Sequence, residues 1–139
     1  MIRPVIQEEP TGCGIAAAAA LAGVSYARAK AVAASLGISA SDRKLWCETE
    51  YVRRLLAKFD LRVAREPTPF RSWAGLPDCA LLAIKWHIEQ GRPFWHWVVF
   101  VRENDRLYVV DSSPTLKASL RTDFGRMRPV WFLIVTMKR

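Results

Sequence analysis

The sequence predicts an α+β domain in which N-terminal helices pack on a C-terminal, largely antiparallel sheet. Three features lead to that reading. An alanine-rich stretch punctuated by helix caps fills the chain as far as Phe59. From Leu61 onward the apolar runs are short, β-branched and aromatic, and separated by turn residues. The two patterns are segregated along the chain instead of alternating, which argues against βαβ units and a parallel sheet. At 139 residues the chain is expected to form a single domain spanning residues 1–139, long enough to bury a core.

The first stretch, Ile2 to Gly14, carries Pro10, Thr11, Gly12 and Gly14 and reads as a loop after an extended start. Ile15 to Leu21 is almost pure alanine, the best helix former, and Gly23 stops it. Ser25 is a favourable N-cap for a second helix, Tyr26 to Leu36, closed by Gly37. A third helix is predicted over Glu48 to Phe59, with Tyr51, Val52, Leu55, Leu56 and Phe59 at helical spacing. Strands are predicted at Leu61–Ala64, Cys79–Trp86, Phe94–Val101, Leu107–Val110 and Val130–Thr136. Pro67, Pro69, Gly75 and Pro77 separate the first two, and Glu103-Asn104-Asp105 supplies the turn between the third and fourth.

Composition excludes several classes. Apolar residues at 51% and charged residues at 24% are globular values and rule out a disordered or collagen-like chain. The longest apolar run, Ile15 to Val24, is ten residues, about half of what a membrane-crossing helix needs. The start MIRPVIQEEP lacks the apolar core of a signal peptide, so a cytoplasmic chain is expected. Lys plus Arg number 21 against 13 Asp plus Glu, for a net charge of +8. The basic residues are scattered and no helix-turn-helix, zinc-knuckle or aromatic RNA-binding signature accompanies them. The charge therefore reads as a solubilising surface, or as attraction to an acidic peptide or protein, and not as a nucleic-acid footprint. Three cysteines (Cys13, Cys47 and Cys79) without a secretion signal argue against a disulfide framework. With no CxxC or HxxxH spacing and only His87 and His96 available, neither a metal nor a cofactor is expected.

The chemistry centres on Cys13. It lies between Gly12 and Gly14 directly before the alanine helix, where unpaired backbone amides favour a thiolate. The glycines would leave a substrate free to approach the sulfur. Read locally, the same tripeptide could equally be a capping turn around a small buried residue. His96, in Trp95-His96-Trp97, opens a predicted strand, and the next strand ends in Asp111 before Ser112-Ser113-Pro114. With a two-residue turn at Glu103-Asn104 or at Asn104-Asp105, His96 and Asp111 share one side of the hairpin. A three-residue turn would separate them. On one side, the carboxylate fixes the imidazole tautomer and leaves the other ring nitrogen to a thiol. A nucleophile at a helix start, a base on a strand and a carboxylate on the next strand make a papain-like arrangement. Gln7, six residues before Cys13, is the candidate side-chain donor to an oxyanion beside the Cys13 amide.

Gln7 followed by Cys13-Gly14, then His96 and Asp111 fifteen residues apart, resembles the bacteriocin-processing peptidase family. That papain-like group cleaves leader peptides after double-glycine motifs, usually as the N-terminal domain of an exporting ABC transporter. The resemblance spans Gln7 to Pro114 and implies a papain-like cysteine peptidase fold. It also implies Cys13 as nucleophile, His96 as general base, Asp111 as the orienting residue and Gln7 as oxyanion donor. The sequence departs from the family in having Gly12 where an acidic residue usually precedes the cysteine, and Trp95 where glycine is common before the histidine. No transporter segment accompanies it, so the leader-peptide substrate does not follow from the fold.

Other candidates are set aside. His87 follows a predicted strand with no carboxylate at matching spacing, and reads as a surface or loop residue. Cys47 precedes an amphipathic helix but has no glycine to open a path to its sulfur, and Cys79 lies in an apolar run as core. Trp95 and Trp97 are expected on opposite faces, one walling the cleft and one packing. The functional expectation is a cysteine peptidase acting on a peptide or protein. The alternatives are a transglutaminase, deamidase or acyltransferase using the same residues, or a catalytically silent peptide-binding module.

Overall fold

A computed structural model describes residues 1–137. Helix α1 spans Cys13–Ala22, α2 Tyr26–Ser35 and α3 Glu50–Ala57, with a 3₁₀ turn at Arg43–Trp46 before α3. Alanine explains α1. Ile15, Ala16, Ala18 and Ala19 are fully buried, so the helix is wrapped on nearly every side. Gly23 ends it in the left-handed region (φ 72°), its N–H returning to Ala19 and Ala20. At α2 the predicted cap is in place, Ser25 Oγ accepting from Arg28 N–H at 3.1 Å. Helix α3 is shorter than predicted at both ends. Before it, the backbone tightens into the 3₁₀ turn, capped by Asp42 accepting from Lys44 N–H at 3.0 Å. After it, Lys58 and Phe59 N–H reach back only three residues, to Leu55 and Leu56.

The sheet contains β1 (Leu61–Val63), β3 (Cys79–Glu89), β4 (Arg92–Glu103), β5 (Arg106–Val110), β6 (Leu120–Arg121) and β7 (Trp131–Met137), with β2 (Thr68–Pro69) pairing on β7. Its order is β1-β7-β3-β4-β5-β6, and every pairing is antiparallel. All five predicted strands are present. The β3–β4 hairpin is longer than predicted because Gln90 and Gly91 both take positive φ (51° and 77°), letting Glu89 pair with Arg92. A bulge at Lys85 (φ 54°) shifts the register between Ile84 and His87. The two-residue strands β2 and β6 and the short α4 (Phe124–Met127) were not foreseen, being too short to show a period.

Both faces of the sheet are covered. Leu81, Ala83, Trp95, Trp97, Val99 and Leu133 join the core shared with α1, α2 and α3. On the other face, Leu82, Ile84, Val98, Phe100 and Phe132 pack under Phe70, Trp73, Leu76 and α4. The turn-rich segment between β1 and β3 is therefore a lid over the back of the sheet. The expectation for the tryptophans fails. Residues two apart on a strand share a face, so Trp95 and Trp97 both enter the helical core, with ring centroids 5.7 Å apart and both edge-on to Trp131.

Candidate active site

The glycines beside Cys13 are dictated by two tyrosines. A Cβ on Gly12 would sit 2.2 Å from the Tyr26 hydroxyl, and one on Gly14 would sit 2.1 Å from the Tyr51 hydroxyl. Tyr26 in turn donates to Glu9, which also pairs with Lys30, so the loop before Cys13 is stitched to α2. Packing against these tyrosines thus supplies a reason for both glycines. Cys13 is the first residue of α1, whose N-terminus no side chain caps. The amides of that first turn therefore point out of the helix without intrahelical carbonyls. The thiol is only 1% exposed. In burial Cys13 thus resembles a small core residue, and its neighbours distinguish it from one.

The principal neighbour is His96. Strands β4 and β5 meet through the two-residue turn Asn104-Asp105, both residues at positive φ (48° and 67°), with Glu103 paired to Arg106 and Val99 to Val110. That is one of the two even registers, and it carries Asp111 to the level of Val98. His96 Nε2–H donates to Asp111 Oδ1 at 2.8 Å. Cys13 also acts on this imidazole, raising its pKa, while Nε2 is the ring nitrogen that Asp111 takes. Burial opposes charging the ring, but the bonds to Asp111 and Cys13 outweigh it and hold the His96 pKa at about 9. The imidazole is therefore cationic at neutral pH.

Asp111 is completely buried. Oδ1 also accepts from Ser113 N–H at 3.0 Å, and Oδ2 accepts from Arg121 Nη1 at 3.0 Å. Burial pushes its carboxyl up, but His96, the Ser113 amide and Arg121 together bring it down to about 2. Arg121 is held in turn by Asp123, through Nε at 2.9 Å and Nη2 at 2.7 Å. Sequence reasoning missed Arg121, which counted only among the basic residues. The available signal was chemical: a buried carboxylate with one oxygen on a histidine needs a donor for the other.

Gln7 is bonded differently from expectation. Its Nε2 donates to the carbonyls of Glu9 and Pro10, both at 3.0 Å, so both amide protons are taken up by the loop. Its Oε1 accepts from Ser112 Oγ at 2.7 Å, and its N–H donates to the Ser112 carbonyl at 3.0 Å. Gln7 thus clamps the nucleophile loop to the residue following Asp111.

The remaining candidates lie apart from this cluster. His87 is exposed within β3, not in a loop, and bonds Glu89 and the Lys85 carbonyl. Cys47 donates its thiol to the Lys44 carbonyl at 3.5 Å. Cys79 is pushed up to about 12 by burial, reinforced by Glu103 and Asp78. Among the described residues no group of three His, Cys, Asp or Glu side chains is arranged to hold a metal ion. Among the described residues no single helix is long and apolar enough to cross a membrane.

No family model and no curated protein matches the sequence. Solved structures do match. The chain is similar to the peptidase domain of Streptococcus ComA, a bi-functional ABC transporter involved in quorum sensing, with TM-score 0.63 and 12% identity over 100% of both chains. It is also similar to a double glycine motif protease from an AMS/PCAT transporter, solved with the leader peptide, with TM-score 0.58 and 16% identity. That match covers 99% of this chain and 93% of the other. At these identities the likeness establishes the fold, that of papain-like peptidase domains, and it agrees with the resemblance drawn from Gln7, Cys13, His96 and Asp111.

Proposed function

We propose that the chain is a cysteine peptidase acting on an extended peptide, with a leader peptide as the first substrate to test. The observation that carries this reading is the His96 Nε2–Asp111 Oδ1 bond at 2.8 Å on a ring that also engages the thiol opening α1. In the proposed reaction the Cys13 thiolate adds to the scissile carbonyl. The oxyanion is received by the Cys13 N–H in the first turn of α1. Gln7 joins only by giving up its bond to Glu9 or Pro10. Collapse breaks the C–N bond, His96 delivers its proton to the departing amine, and a thioester remains on Cys13. His96 then takes a proton from water as the hydroxide equivalent attacks the thioester, the C–S bond breaks, and the carboxylic acid leaves with the Cys13 thiolate and His96 imidazolium restored.

The three free cysteines support a reducing, cytoplasmic setting, and the charge of +8 supports an acidic substrate. A deamidase or acyltransferase would use the same residues with a different acceptor. The near-complete burial of Cys13 favours a second reading, a module that holds a peptide without cleaving it. The test is incubation of the wild type and Cys13→Ala with double-glycine leader peptides, followed by mass spectrometry. A new peptide terminus produced only by the wild type supports hydrolysis. Ammonia release without a terminus identifies amide chemistry, and binding without turnover in both identifies the silent module.

A further inference from the structure

We infer that the cavity beside His96 is a specificity pocket for one large apolar or aromatic side chain next to the scissile bond, an inference that rests on the peptidase reading. The cavity measures about 250 Å³ and is walled by Trp46, His87, Phe94, Trp95 and His96. Pockets for whole small molecules run to about 300–1,000 Å³, so this one suits a single side chain. Its connection to the reacting groups is made from both sides. On the sheet side His96 itself forms part of the wall. On the helical side Trp46 donates its indole N–H to the carbonyl of Pro10 at 3.1 Å, in the loop that leads into Cys13. The same carbonyl receives the Gln7 amide.

The walls are preformed. Trp46 and Phe94 meet edge to face with centroids 6.2 Å apart, and the His87 ring stacks on Phe94 at 5.9 Å. Arg43 lies over the Trp46 ring at 5.7 Å, restraining it further. Lys85 and Glu89 complete the lining; His87 Nε2 bonds Glu89 at 3.0 Å, and Lys85 is exposed. Apart from Lys85 and Glu89, the lining consists of ring faces and edges, which suit an apolar or aromatic side chain. In an extended peptide alternate side chains point to opposite sides. A peptide whose carbonyl reaches Cys13 and His96 thus presents a neighbouring side chain to this cavity. A Gly-Gly pair would leave it empty, so the substrate is expected to carry a bulky apolar residue within two positions of the cleaved bond.

The experiment uses the full chain with peptides randomised one position at a time on both sides of the bond. Cleavage is read by mass spectrometry for the wild type, Trp46→Ala and Trp46→Phe. Phe, Trp or Leu should be preferred over Gly by about tenfold or more at one position. Trp46→Phe keeps the wall while losing the bond to Pro10 and should retain that preference, whereas Trp46→Ala should flatten it. Uniform selectivity in the wild type, or unchanged selectivity in Trp46→Ala, overturns the inference while leaving the peptidase reading intact. If nothing is cleaved, N-acetyl-phenylalanine amide is titrated into Cys13→Ala and followed by the indole N–H signals of Trp46 and Trp95. Shifts absent with N-acetyl-glycine amide support the pocket without the peptidase, and the absence of shifts with either overturns it.

Discussion

Arg121 donates Nη1–H to Asp111 Oδ2 at 3.0 Å, occupying the carboxylate oxygen that His96 does not use. The consequence is electrostatic. The buried carboxylate that orients His96 is charge-paired on both oxygens, with the imidazole on one and the guanidinium on the other, which holds it ionised. Asp123, bidentate on the far side of the guanidinium, fixes its direction.

Removing one partner of this pair should harm the fold more than removing both. Arg121→Gln removes the cation from Oδ2 of a fully buried carboxylate whose Oδ1 keeps His96 and the Ser113 N–H, and breaking such a pair typically costs about 3–5 kcal/mol. Asp111→Asn instead leaves the guanidinium with Asp123 as its one carboxylate partner. The double variant Asp111→Asn, Arg121→Gln replaces the ion pair by neutral amides and is expected to be more stable than either single variant. Denaturant unfolding of the four proteins measures the coupling.

Asp111→Asn in that double background also tests the chemistry. The amide can still hold a bond to His96 Nε2 but no longer supplies a charge to the imidazolium. Peptide hydrolysis should survive at a reduced rate, while His96→Ala should lower it by about 10²–10⁴-fold. Equal loss in both would show that His96 acts only through packing.

The titration of His96 predicts the direction of two pH profiles. Its pKa is raised from 6.5 to about 9 in the fold, so its contribution to stability is full below about 6.5 and is lost as pH rises through 9. Asp111 is lowered from 3.8 to about 2, so its contribution is present above 3.8 and is lost as pH falls through 2. Melting temperature should decline between pH 6.5 and 9, and less steeply in His96→Gln. Hydrolysis should lose its alkaline limb near pH 9, where the proton donor to the leaving amine disappears.

The two glycines around Cys13 should respond differently to rescue. Gly12→Ala meets the Tyr26 hydroxyl at 2.2 Å but the ring carbon bearing it only at 3.2 Å. Gly14→Ala meets Tyr51 at 2.1 Å through the hydroxyl and at 2.7 and 2.9 Å through ring carbons. Each alanine should destabilise by about 1–3 kcal/mol through overpacking. Tyr26→Phe should recover much of the loss in Gly12→Ala, and Tyr51→Phe should recover little in Gly14→Ala. Thermal unfolding of the paired variants distinguishes the two.

What could be read from the sequence follows from the range of each interaction. Helix α2 was legible because Ser25 and Gly37 act within a turn of its ends, and the β4–β5 hairpin because Glu103-Asn104-Asp105 marks its turn; the sequence left the register open, and the structure takes the even one at Asn104-Asp105. The His96–Asp111 pair followed from that register. Arg121 did not, because it reaches Asp111 from a two-residue strand whose position depends on the whole sheet. The bonding of Gln7 was equally hidden, since its partners are loop carbonyls and Ser112, more than a hundred residues away in the chain. The misplacement of Trp95 and Trp97 was a different kind of error, since the strand period alone puts both on one face.

The most direct test of the account is the rate at which iodoacetamide modifies each cysteine as a function of pH, resolved by mass spectrometry in the wild type and in His96→Ala. The account predicts that Cys13 in the native wild type is alkylated at pH values where Cys47 and Cys79 are not, and that His96→Ala abolishes this advantage. If Cys13 reacts no earlier in pH than Cys47, or keeps its advantage without His96, the thiolate–imidazolium pair is absent and the catalytic reading of this site is contradicted.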